Sequence, residues 1–246
     1  MSRPTEDAEG LRTEVERYPW YHTIDLGGGV VTNGMFDHRP VLDRYPLPVD
    51  LTGKRCLDVA TMDGFWAFEM ERRGAASVTA LDIDDPEDLD WPASLRGDHD
   101  RSLDETKAER FALARRTLGS SVERVILSAY DLSPEALGTF DFVFCGDLLL
   151  HLKDPITPVE NIRSVCTESA VIVNVIKRFR FRESVPLADL DGIDTFTWWT
   201  TNLAGLVRIV RAAGFARVEP SDPFTLKYSG DDSWEGLRGA VRAYVR

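Results

Sequence analysis

Positive charge is scarce in this sequence. The chain holds 29 Lys and Arg against 41 Asp and Glu, which gives a formal net charge of −12. Proteins that bind RNA or DNA gain much of their affinity from basic surfaces that release counterions. The charge balance therefore argues against a nucleic-acid partner. Much of the acidity lies between Asp82 and Glu109, where we expect a solvated loop and helix face.

Cysteine and histidine patterns typical of metal sites are also missing. The three cysteines, Cys56, Cys145 and Cys166, are far apart, and no CxxC motif or Cys/His cluster occurs. An odd number of separated cysteines in apolar segments indicates reduced thiols in a core. We therefore predict no metal site and a cytoplasmic location.

Long hydrophobic runs are absent too. No apolar stretch is long enough to span a bilayer, and the first 17 residues are polar and mixed in charge, unlike a secretory signal. We expect no membrane contact. What is present is a chain of 246 residues that is 43% hydrophobic. That is enough for one sizeable α/β domain with a small appendage.

The most informative stretch spans residues 54–75. A short apolar strand leads into a loop of small and acidic residues, Ala60–Gly64, and apolar residues at helical spacing follow. A strand, a tight loop and a helix form the first half of a βαβ unit. Such a loop presents backbone N–H groups at a helix N-terminus, which suits a nucleotide-like ligand.

Continuously apolar strands alternate with helices through the rest of the chain, a pattern typical of a parallel sheet covered on both faces. We predict an α/β fold: a Rossmann-like, mostly parallel seven-stranded sheet with helices on both faces, formed by residues 50–246. The predicted strands are Arg55–Val59, Ser77–Asp82, Val122–Leu127, Phe140–Cys145, Ala170–Ile176, a sixth beginning at Phe215–Val218, and Ala240–Val245.

Residues 1–49 form a small N-terminal cap in this interpretation. The segment contains a helical stretch, Leu11–Arg17, and two β-prone runs around three consecutive glycines, Gly27–Gly29, which indicate a hairpin. A segment with three prolines connects the cap to the first strand of the core. We expect the cap to be an appendage of the sheet and not a separate domain.

The order of these features resembles the class I S-adenosylmethionine-dependent methyltransferases. The loop Asp58-Val-Ala-Thr-Met-Asp-Gly64 stands where that family has Asp-x-Gly-x-Gly-x-Gly. Asp58 and Gly64 match the family pattern, whereas Ala60 and Met62 replace the first two glycines. Ala60 is small enough to keep a close backbone approach to a ligand.

Other positions carry the resemblance further. Asp82 ends the second strand, where the family binds ribose, and Tyr130-Asp131 follows the third strand, near the adenine site of the family. Residues 140–155 resemble the fourth-strand motif FDxVxxxxxLxHLxDP, and Gly214-Phe215 matches the start of the sixth strand. The resemblance covers roughly residues 50 to 220 and is specific in combination.

The resemblance implies that S-adenosyl-L-methionine is the cofactor. The cofactor-binding residues that it implies are Asp58, Ala60, Thr61, Gly64, Asp82, Ile83, Tyr130, Asp131 and Gly146. Two of them have structural alternatives: Asp58 could hydrogen-bond the loop itself, and Asp131 could cap the turn at Ser133.

His151 is the predicted catalytic residue. It follows the fourth strand, at the edge of the sheet where open α/β folds bind ligands. An imidazole there could take a proton from an acceptor hydroxyl or amine as the methyl group moves. The alternative is a structural histidine that shapes the cofactor pocket. Methyl transfer from a sulfonium depends strongly on holding acceptor and methyl group in line.

Substrate-binding residues are predicted in three places. An aromatic segment before the hairpin is expected to cover the site, or else to anchor the cap. A tryptophan pair after the fifth strand is expected to line the acceptor pocket, or else to pack in the core. A basic and aromatic alternation, Lys177–Arg182, could anchor a carboxylate or phosphate of the acceptor, or else form a solvated edge. The predicted residues are Trp20, Tyr21, His22, Arg180, Trp198 and Trp199.

A finer resemblance links the chain to the branch that includes tRNA wobble-uridine carboxymethyl-transferring enzymes. It rests on Trp20-Tyr-His22, Thr32-Asn-Gly34, the lead-in Asp50–Gly53 and Leu149–Leu152. That branch reads the extra carboxylate of its cofactor with a Lys before the first strand and a Tyr before the motif histidine. Here the matching places hold Pro40 and Leu150. Since a buried carboxylate without partners is costly, we expect ordinary S-adenosylmethionine.

The sequence therefore predicts methyl transfer from S-adenosylmethionine to O or N of a small-molecule acceptor, which could be a natural product. One alternative is tRNA modification with a carboxylated cofactor. A second is a non-methylating reaction that releases methylthioadenosine, and a third is a cofactor-binding regulator without turnover. An NAD-linked dehydrogenase is disfavoured because the loop lacks that glycine spacing.

Overall fold

The structure is a computed structural model that describes residues 4–96, 102–193, 195–229 and 231–246. A helix and four short strands form its N-terminal part, and a 3-10 turn over Arg39–Arg44 leads to the core. The two strands around the triple glycine pair antiparallel, so the predicted hairpin is confirmed. These elements are α1 (Pro4–Val15), β1 (Trp20–His22), β2 (Asp25–Gly27), β3 (Val30–Val31) and β4 (Gly34–Phe36).

The core alternates strands and helices as the sequence predicts. Its first part consists of β5 (Arg55–Val59), α2 (Phe65–Arg72), β6 (Ser77–Asp82), α3 (Ser102–Glu105), α4 (Lys107–Leu118), β7 (Glu123–Ile126), α5 (Pro134–Leu137), β8 (Phe140–Gly146), α6 (Thr157–Val165) and β9 (Cys166–Val175). Its second part consists of β10 (Ala188–Leu190), β11 (Trp199–Thr201), α7 (Leu203–Ala212), β12 (Arg217–Pro220), β13 (Phe224–Tyr228) and β14 (Asp231–Tyr244).

The main sheet has ten strands in the described residues, so the predicted count of seven is wrong. The strand order is β1-β4-β13-β14-β9-β8-β5-β6-β7, and β12 also pairs with β14. The five strands from β9 to β7 are mutually parallel. The strand β14 runs antiparallel to β9. All seven predicted strands are present, and β1, β4 and β13 are the additional ones.

The length of β14 explains the extra strands. Residues 238–244 pair with β9, whereas residues 231–238 pair antiparallel with β13. The strand β13 in turn meets β4 at Tyr228 and Phe36. The N-terminal segment therefore extends the sheet at one edge. The division into a cap, 1–49, and a methyltransferase domain, 50–246, stays a prediction.

Two hydrophobic clusters lie against the sheet. Along β8, Phe142 and Phe144 belong to one cluster, whereas Val143 and Cys145 belong to the other. Successive side chains of a strand point to opposite faces, so both faces of β8 are covered. This is why the central strands read as unbroken apolar runs. The three cysteines are free and buried.

The acidic segment after β6 contains a 3-10 turn, Pro86–Asp88. The Asp85 side chain caps this turn by accepting from the Glu87 amide. Residues 97–101 of the predicted acidic loop lie outside the described residues. Among the helices in the described part of the chain, none combines the length and apolarity needed to cross a membrane.

Candidate active site

A cavity of about 330 Å³ opens at the carboxyl edge of the parallel strands. Residues that end or follow four of these strands line it, among them Ala60, Asp82, Ser128 and Gly146. Ligands of open α/β sheets bind outside the carboxyl ends of the strands. The cavity therefore lies where the fold favours a ligand.

The loop between β5 and α2 keeps the backbone shape of a glycine-rich loop. Ala60 has φ 61° and Met62 has φ 52°, values that favour glycine. Both residues line the cavity. Gly64 begins α2 with φ 95°, and a Cβ there would lie 2.6 Å from the ring of Phe68. At Gly64, unlike at the other two positions, glycine is therefore needed both for the backbone conformation and because a side chain would have no room.

Asp58, in β5, and Thr61, in the loop, are both buried and do not line the cavity. The Thr61 hydroxyl donates to Asp58 Oδ2 at 2.7 Å. Burial raises the pKa of Asp58 to about 7, although the Thr61 hydrogen bond lowers it. The structure therefore places Asp58 as a support of the loop, and a direct contact of Asp58, Thr61 or Gly64 with the cofactor stays a prediction.

Asp82 joins the loop, the end of β6 and the start of α4. Its Oδ2 accepts from the Met62 amide at 2.7 Å, and its Oδ1 accepts from the Ile83 amide at 2.8 Å. Lys107 Nζ lies 3.0 Å from Oδ1, and Lys107 is only 1% exposed. Asp82, Ile83 and Lys107 all line the cavity. Nothing in the sequence marks Lys107 as a site residue, because a lysine at the start of a helix usually faces solvent.

Tyr130 and Gly146 also line the cavity. The Tyr130 hydroxyl donates to Asp90 Oδ2 at 2.7 Å, and burial followed by this contact raises the pKa of Tyr130. Asp131 is exposed and lies away from the cavity lining. The neighbouring helix α5 is capped by Ser133 itself, which accepts from the Ala136 amide.

His22 lines the cavity and is fixed by Asp63. Its Nδ1 bonds to Asp63 Oδ1, and Asp63 Oδ2 accepts from the backbone amides of Tyr21 at 2.8 Å and His22 at 3.1 Å. Arg110 Nε lies 3.6 Å from the same oxygen. Although burial raises the pKa of Asp63, His22 and Arg110 bring it below its usual value. This cluster joins β1 to the β5–α2 loop.

His151 lines the cavity from the 3-10 turn Leu149–His151. Its Nδ1 contacts the carbonyl oxygen of Phe196, and its ring stacks on the Phe196 ring. A carbonyl oxygen only accepts, so the hydrogen-bond network assigns the proton to Nδ1 and leaves a lone pair on Nε2. Burial lowers the pKa of His151, which favours the neutral ring. This state is suited to accept a proton.

A third imidazole, His38, was not predicted as a site residue. It lines the cavity and is 4% exposed. Its Nδ1 lies 2.7 Å from the Tyr45 hydroxyl, and its Nε2 has no hydrogen-bond partner among the described residues. Burial, followed by His22 and Arg238, brings the pKa of His38 well below its usual value. His38 begins a proline-containing connecting segment, and nothing in that segment marks it as a site residue.

Asp147 is a further lining residue that sequence reasoning missed, although it lies inside the fourth-strand motif. Its φ is 47°, unusual for a residue with a side chain. Arg238, which is 1% exposed, donates from Nε to Asp147 Oδ2 at 3.0 Å. Asp147 Oδ1 is buried without a hydrogen-bond partner in the described part of the chain.

The predicted substrate-binding residues are not all brought together. Tyr21 and His22 line the cavity, whereas Trp20 is buried and donates from Nε1 to the Val15 carbonyl at 2.9 Å. Of the two tryptophans after β9, neither lines the cavity. Trp198 and Trp199 donate to the carbonyl oxygens of Asp90 and Lys153. Arg180 is exposed and lies outside the lining, and Phe196 is the aromatic residue of this segment that reaches the cavity.

No family model matches the chain. A curated relative, the tRNA U34 carboxymethyltransferase of Ectopseudomonas mendocina (strain ymp), is 25% identical over 193 residues. The match covers 77% of this chain and 53% of the relative, so the chain spans about half the length of that protein. The match is consistent with the branch named from the sequence.

Solved structures resemble the chain over most of its length. The N-terminal domain of EvdMO1, crystallised in the presence of S-adenosylhomocysteine and D-fucose, has a TM-score of 0.61 and 17% identity, and the match covers 100% of this chain and 98% of that one. Burkholderia thailandensis 1,6-didemethyltoxoflavin-N1-methyltransferase has a TM-score of 0.51 and 17% identity, with 99% and 91% covered. An S-adenosylmethionine-dependent methyltransferase of Aquifex aeolicus has a TM-score of 0.51 and 18% identity, with 86% and 91% covered. These similarities confirm the predicted Rossmann-like α/β fold, although not its predicted strand count.

Proposed function

We propose that this chain, whose fold is that of class I S-adenosylmethionine-dependent methyltransferases, is an enzyme that methylates a small molecule. The observation that carries the proposal is a single cavity with two kinds of wall. One wall comes from the β5–α2 loop and Asp82, and the other carries three imidazoles, His22, His38 and His151. Cofactor and acceptor can therefore meet in one space.

The first wall fits the nucleoside cofactor. Left-handed backbone at Ala60 and Met62 permits close approach, and Asp82 ends its strand at the cavity. Ala60, Asp82, Ile83, Tyr130 and Gly146 would hold S-adenosylmethionine, as the sequence resemblance implies. When bound, the cofactor supplies the methyl group.

The second wall would position the acceptor. We assign His151 as the residue that accepts the acceptor's proton, because its Nδ1 is bonded to the Phe196 carbonyl and Nε2 keeps a lone pair. Tyr21 and His22 close the cavity from the N-terminal segment. Their backbone amides are fixed by Asp63, which limits their freedom and favours a defined acceptor position.

The cavity volume, about 330 Å³, and the net charge of −12 favour a small acceptor over a polyanion. Two neighbours, crystallised with D-fucose in one case and with 1,6-didemethyltoxoflavin in the other, support a small acceptor. The three buried, free cysteines support the predicted cytoplasmic location.

The 25% identical relative favours a second candidate, tRNA modification with a carboxylated cofactor. The residues at the two positions where that branch binds the extra carboxylate argue against this second candidate. Pro40 is exposed and lacks a charge, and Leu150 is apolar and buried. We therefore place ordinary S-adenosylmethionine first.

Calorimetry with S-adenosylmethionine and S-adenosylhomocysteine tests the proposal. We expect both to bind well below millimolar concentration, and failure of both to bind at millimolar concentration overturns the proposal. Mass spectrometry of the turnover mixture separates the reactions. S-adenosylhomocysteine as the product supports methyl transfer, whereas methylthioadenosine supports the alternative use of the cofactor.

A further inference from the structure

Two buried polar atoms in the cavity wall have no hydrogen-bond partner among the described residues. They are Asp147 Oδ1 and His38 Nε2, on two different elements of the fold. Buried polar groups in folded proteins are nearly always paired, so each such exception requires an explanation. A ligand in the cavity would provide the missing partners.

Asp147 has the features of a binding residue and not of a core residue. It follows β8 directly and holds a φ of 47°, and strained backbone of this kind clusters at functional sites. Arg238 fixes one carboxylate oxygen with two nitrogens, each 3.0 Å from Oδ2. The other oxygen, Oδ1, is buried without a hydrogen-bond partner among the described residues. Because a carboxylate oxygen only accepts, Oδ1 calls for a ligand group that donates a hydrogen.

His38 supplies the opposite kind of group. In the described part of the chain, the Tyr45 hydroxyl hydrogen-bonds only to His38 Nδ1. If Tyr45 donates, its hydrogen is satisfied and His38 carries its own proton on Nε2. The reverse arrangement would leave both the Tyr45 hydrogen and Nε2 unsatisfied. The network therefore assigns an N–H donor at Nε2, a buried atom of a residue that lines the cavity.

A hydroxyl group donates one hydrogen and accepts another, so it can serve Asp147 Oδ1 as a donor and His38 Nε2 as an acceptor. Aromatic rings surround His38: its ring lies 5.7 Å from Tyr45, 5.4 Å from Phe65 and 5.0 Å from Trp66. Such rings pack well against a compact ring of carbon atoms. The free oxygen of Asp147 repels anions, which argues against a carboxylate or phosphate at this place.

We propose that Asp147 and His38 bind hydroxyl groups of the methyl acceptor. With a further hydroxyl or amine presented to His151, the acceptor is then a compact, uncharged molecule that carries at least one hydroxyl group besides the methylated position. This inference rests on the proposed function and specifies its substrate class. It makes Asp147 and His38 determinants of acceptor specificity, with no part in holding the cofactor.

Calorimetry on the protein saturated with S-adenosylhomocysteine tests this assignment, with D-fucose as the probe. We expect D-fucose to bind the wild type at millimolar concentration. Asp147→Asn turns an amide N–H toward the cavity, and His38→Phe keeps the ring but removes both nitrogens. Each change should weaken D-fucose binding at least ten-fold, and His38→Gln should recover part of the loss because its amide can donate.

Two controls make the outcome decisive. Asp189→Asn, in an exposed ion pair with Lys177, should leave D-fucose binding unchanged. The affinity for S-adenosylhomocysteine should stay within three-fold in every variant. If a variant fails to fold, Tyr45→Phe serves instead, because it keeps the ring and removes the hydroxyl that orients His38.

The results separate the two proposals. Loss of S-adenosylhomocysteine binding by the wild type overturns the proposed function, on which this inference rests. If the wild type binds S-adenosylhomocysteine but not D-fucose, only the proposal of a hydroxyl site is wrong. Equal binding of D-fucose by wild type, Asp147→Asn and His38→Phe also overturns it.

Discussion

At the scale of single residues, Ala60 and Met62 show that a loop without the motif glycines can still adopt positive φ values typical of glycine. Both residues hold positive φ values in the loop that resembles the cofactor loop of the family. An alanine in this conformation costs roughly 1–2 kcal/mol, whereas the extra freedom of glycine costs about 0.5–1 kcal/mol. Simple motif matching misses such a loop because it reads residue type and not conformation.

Ala60→Gly should therefore leave the free energy of unfolding unchanged or raise it by up to about 1 kcal/mol. Denaturant unfolding measures the change. The matched control is Ala112→Gly, at an exposed position inside α4, which should lower stability by about 1 kcal/mol. An equal loss in both variants would contradict the strain at Ala60.

Lys107 is buried far more than lysine side chains usually are. Its ammonium group contacts Asp82 in the cavity wall, and a buried charge needs such a partner. Lys107→Met should leave the Asp82 carboxylate uncompensated at the place assigned to the cofactor. We expect the dissociation constant for S-adenosylhomocysteine to rise at least ten-fold, as measured by calorimetry.

The control for Lys107 is Lys54→Met, because Lys54 also pairs with an acid, Glu168, but on the exposed surface. Exposed ion pairs contribute only about 0–1 kcal/mol to stability. Lys54→Met should leave cofactor affinity within two-fold of the wild type. Similar affinity in both variants would remove Lys107 from the cofactor site.

The pKa of Asp58, raised to about 7 by burial, makes stability depend on pH. Between the unfolded value and about 7, the folded state keeps a proton on Asp58 that the unfolded chain has lost, so the contribution of Asp58 to stability falls as pH rises. Asp58→Asn mimics the protonated form. We expect its stability relative to the wild type to increase from pH 4 to 7 and then level off in denaturant titrations. A difference that is constant with pH would contradict this assignment.

At the scale of elements, the N-terminal segment is coupled to the core through one buried carboxylate. Asp63 is 0% exposed and receives hydrogen bonds from β1 while it sits in the β5–α2 loop. Removal of one member of a buried charged cluster costs about 3–5 kcal/mol. We therefore expect Asp63→Ala to lower the free energy of unfolding by about that amount and to weaken cofactor binding.

Asp37→Ala is the comparison for that prediction, since Asp37 pairs with Arg39 in the same N-terminal region but is partly exposed. Its effect should stay within about 1 kcal/mol. Thermal unfolding of both variants measures the difference. If Asp63→Ala is no more destabilising than Asp37→Ala, the cluster does not couple β1 to the loop.

The helices and strands that could be predicted are those whose hydrophobic pattern in the sequence matches their burial in the structure. The parallel strands are apolar on both faces, as in β8, so their positions could be read from composition. The strands β1, β4 and β13 are three to five residues long and join the sheet only at its edge. The strands β1 and β4 reach the sheet through the pairing of Phe36 with Tyr228, which are distant in sequence, and local sequence does not encode such a contact.

At the scale of the whole molecule, the cavity-lining residues at the ends of the parallel strands were more predictable than the lining residues contributed by other segments. Asp82, Ile83 and Gly146 are fixed by the topology of the sheet, so their order along the chain locates them. His38, Asp147 and Phe196 line one cavity because three segments that are distant in sequence fold over the same edge of the sheet. Their presence in one lining depends on tertiary packing, and the motif around His151 was the sequence signal near them.

The charge of the whole molecule gives the last prediction, which concerns tRNA. A relative with 25% identity is a tRNA U34 carboxymethyltransferase, but this chain carries a net charge of −12. Phosphate contacts dominate nucleic-acid affinity and require basic surface. We expect gel-shift titrations at physiological salt to show no tRNA binding tighter than the non-specific range, about 10⁻⁴–10⁻⁶ M.

The exposed arginines Arg178, Arg180 and Arg182 provide the strictest test of that expectation, because they form a basic segment on an acidic protein. If tRNA binds at submicromolar concentration and replacement of all three by alanine removes the binding, tRNA is the substrate class and the small-molecule proposal is wrong. Mass spectrometry of the purified protein adds an independent measurement. Carboxylated S-adenosylmethionine in the purified protein would also support tRNA as the substrate. Ordinary S-adenosylmethionine without tRNA would support a small acceptor, since the cavity then needs no partner for an extra carboxylate.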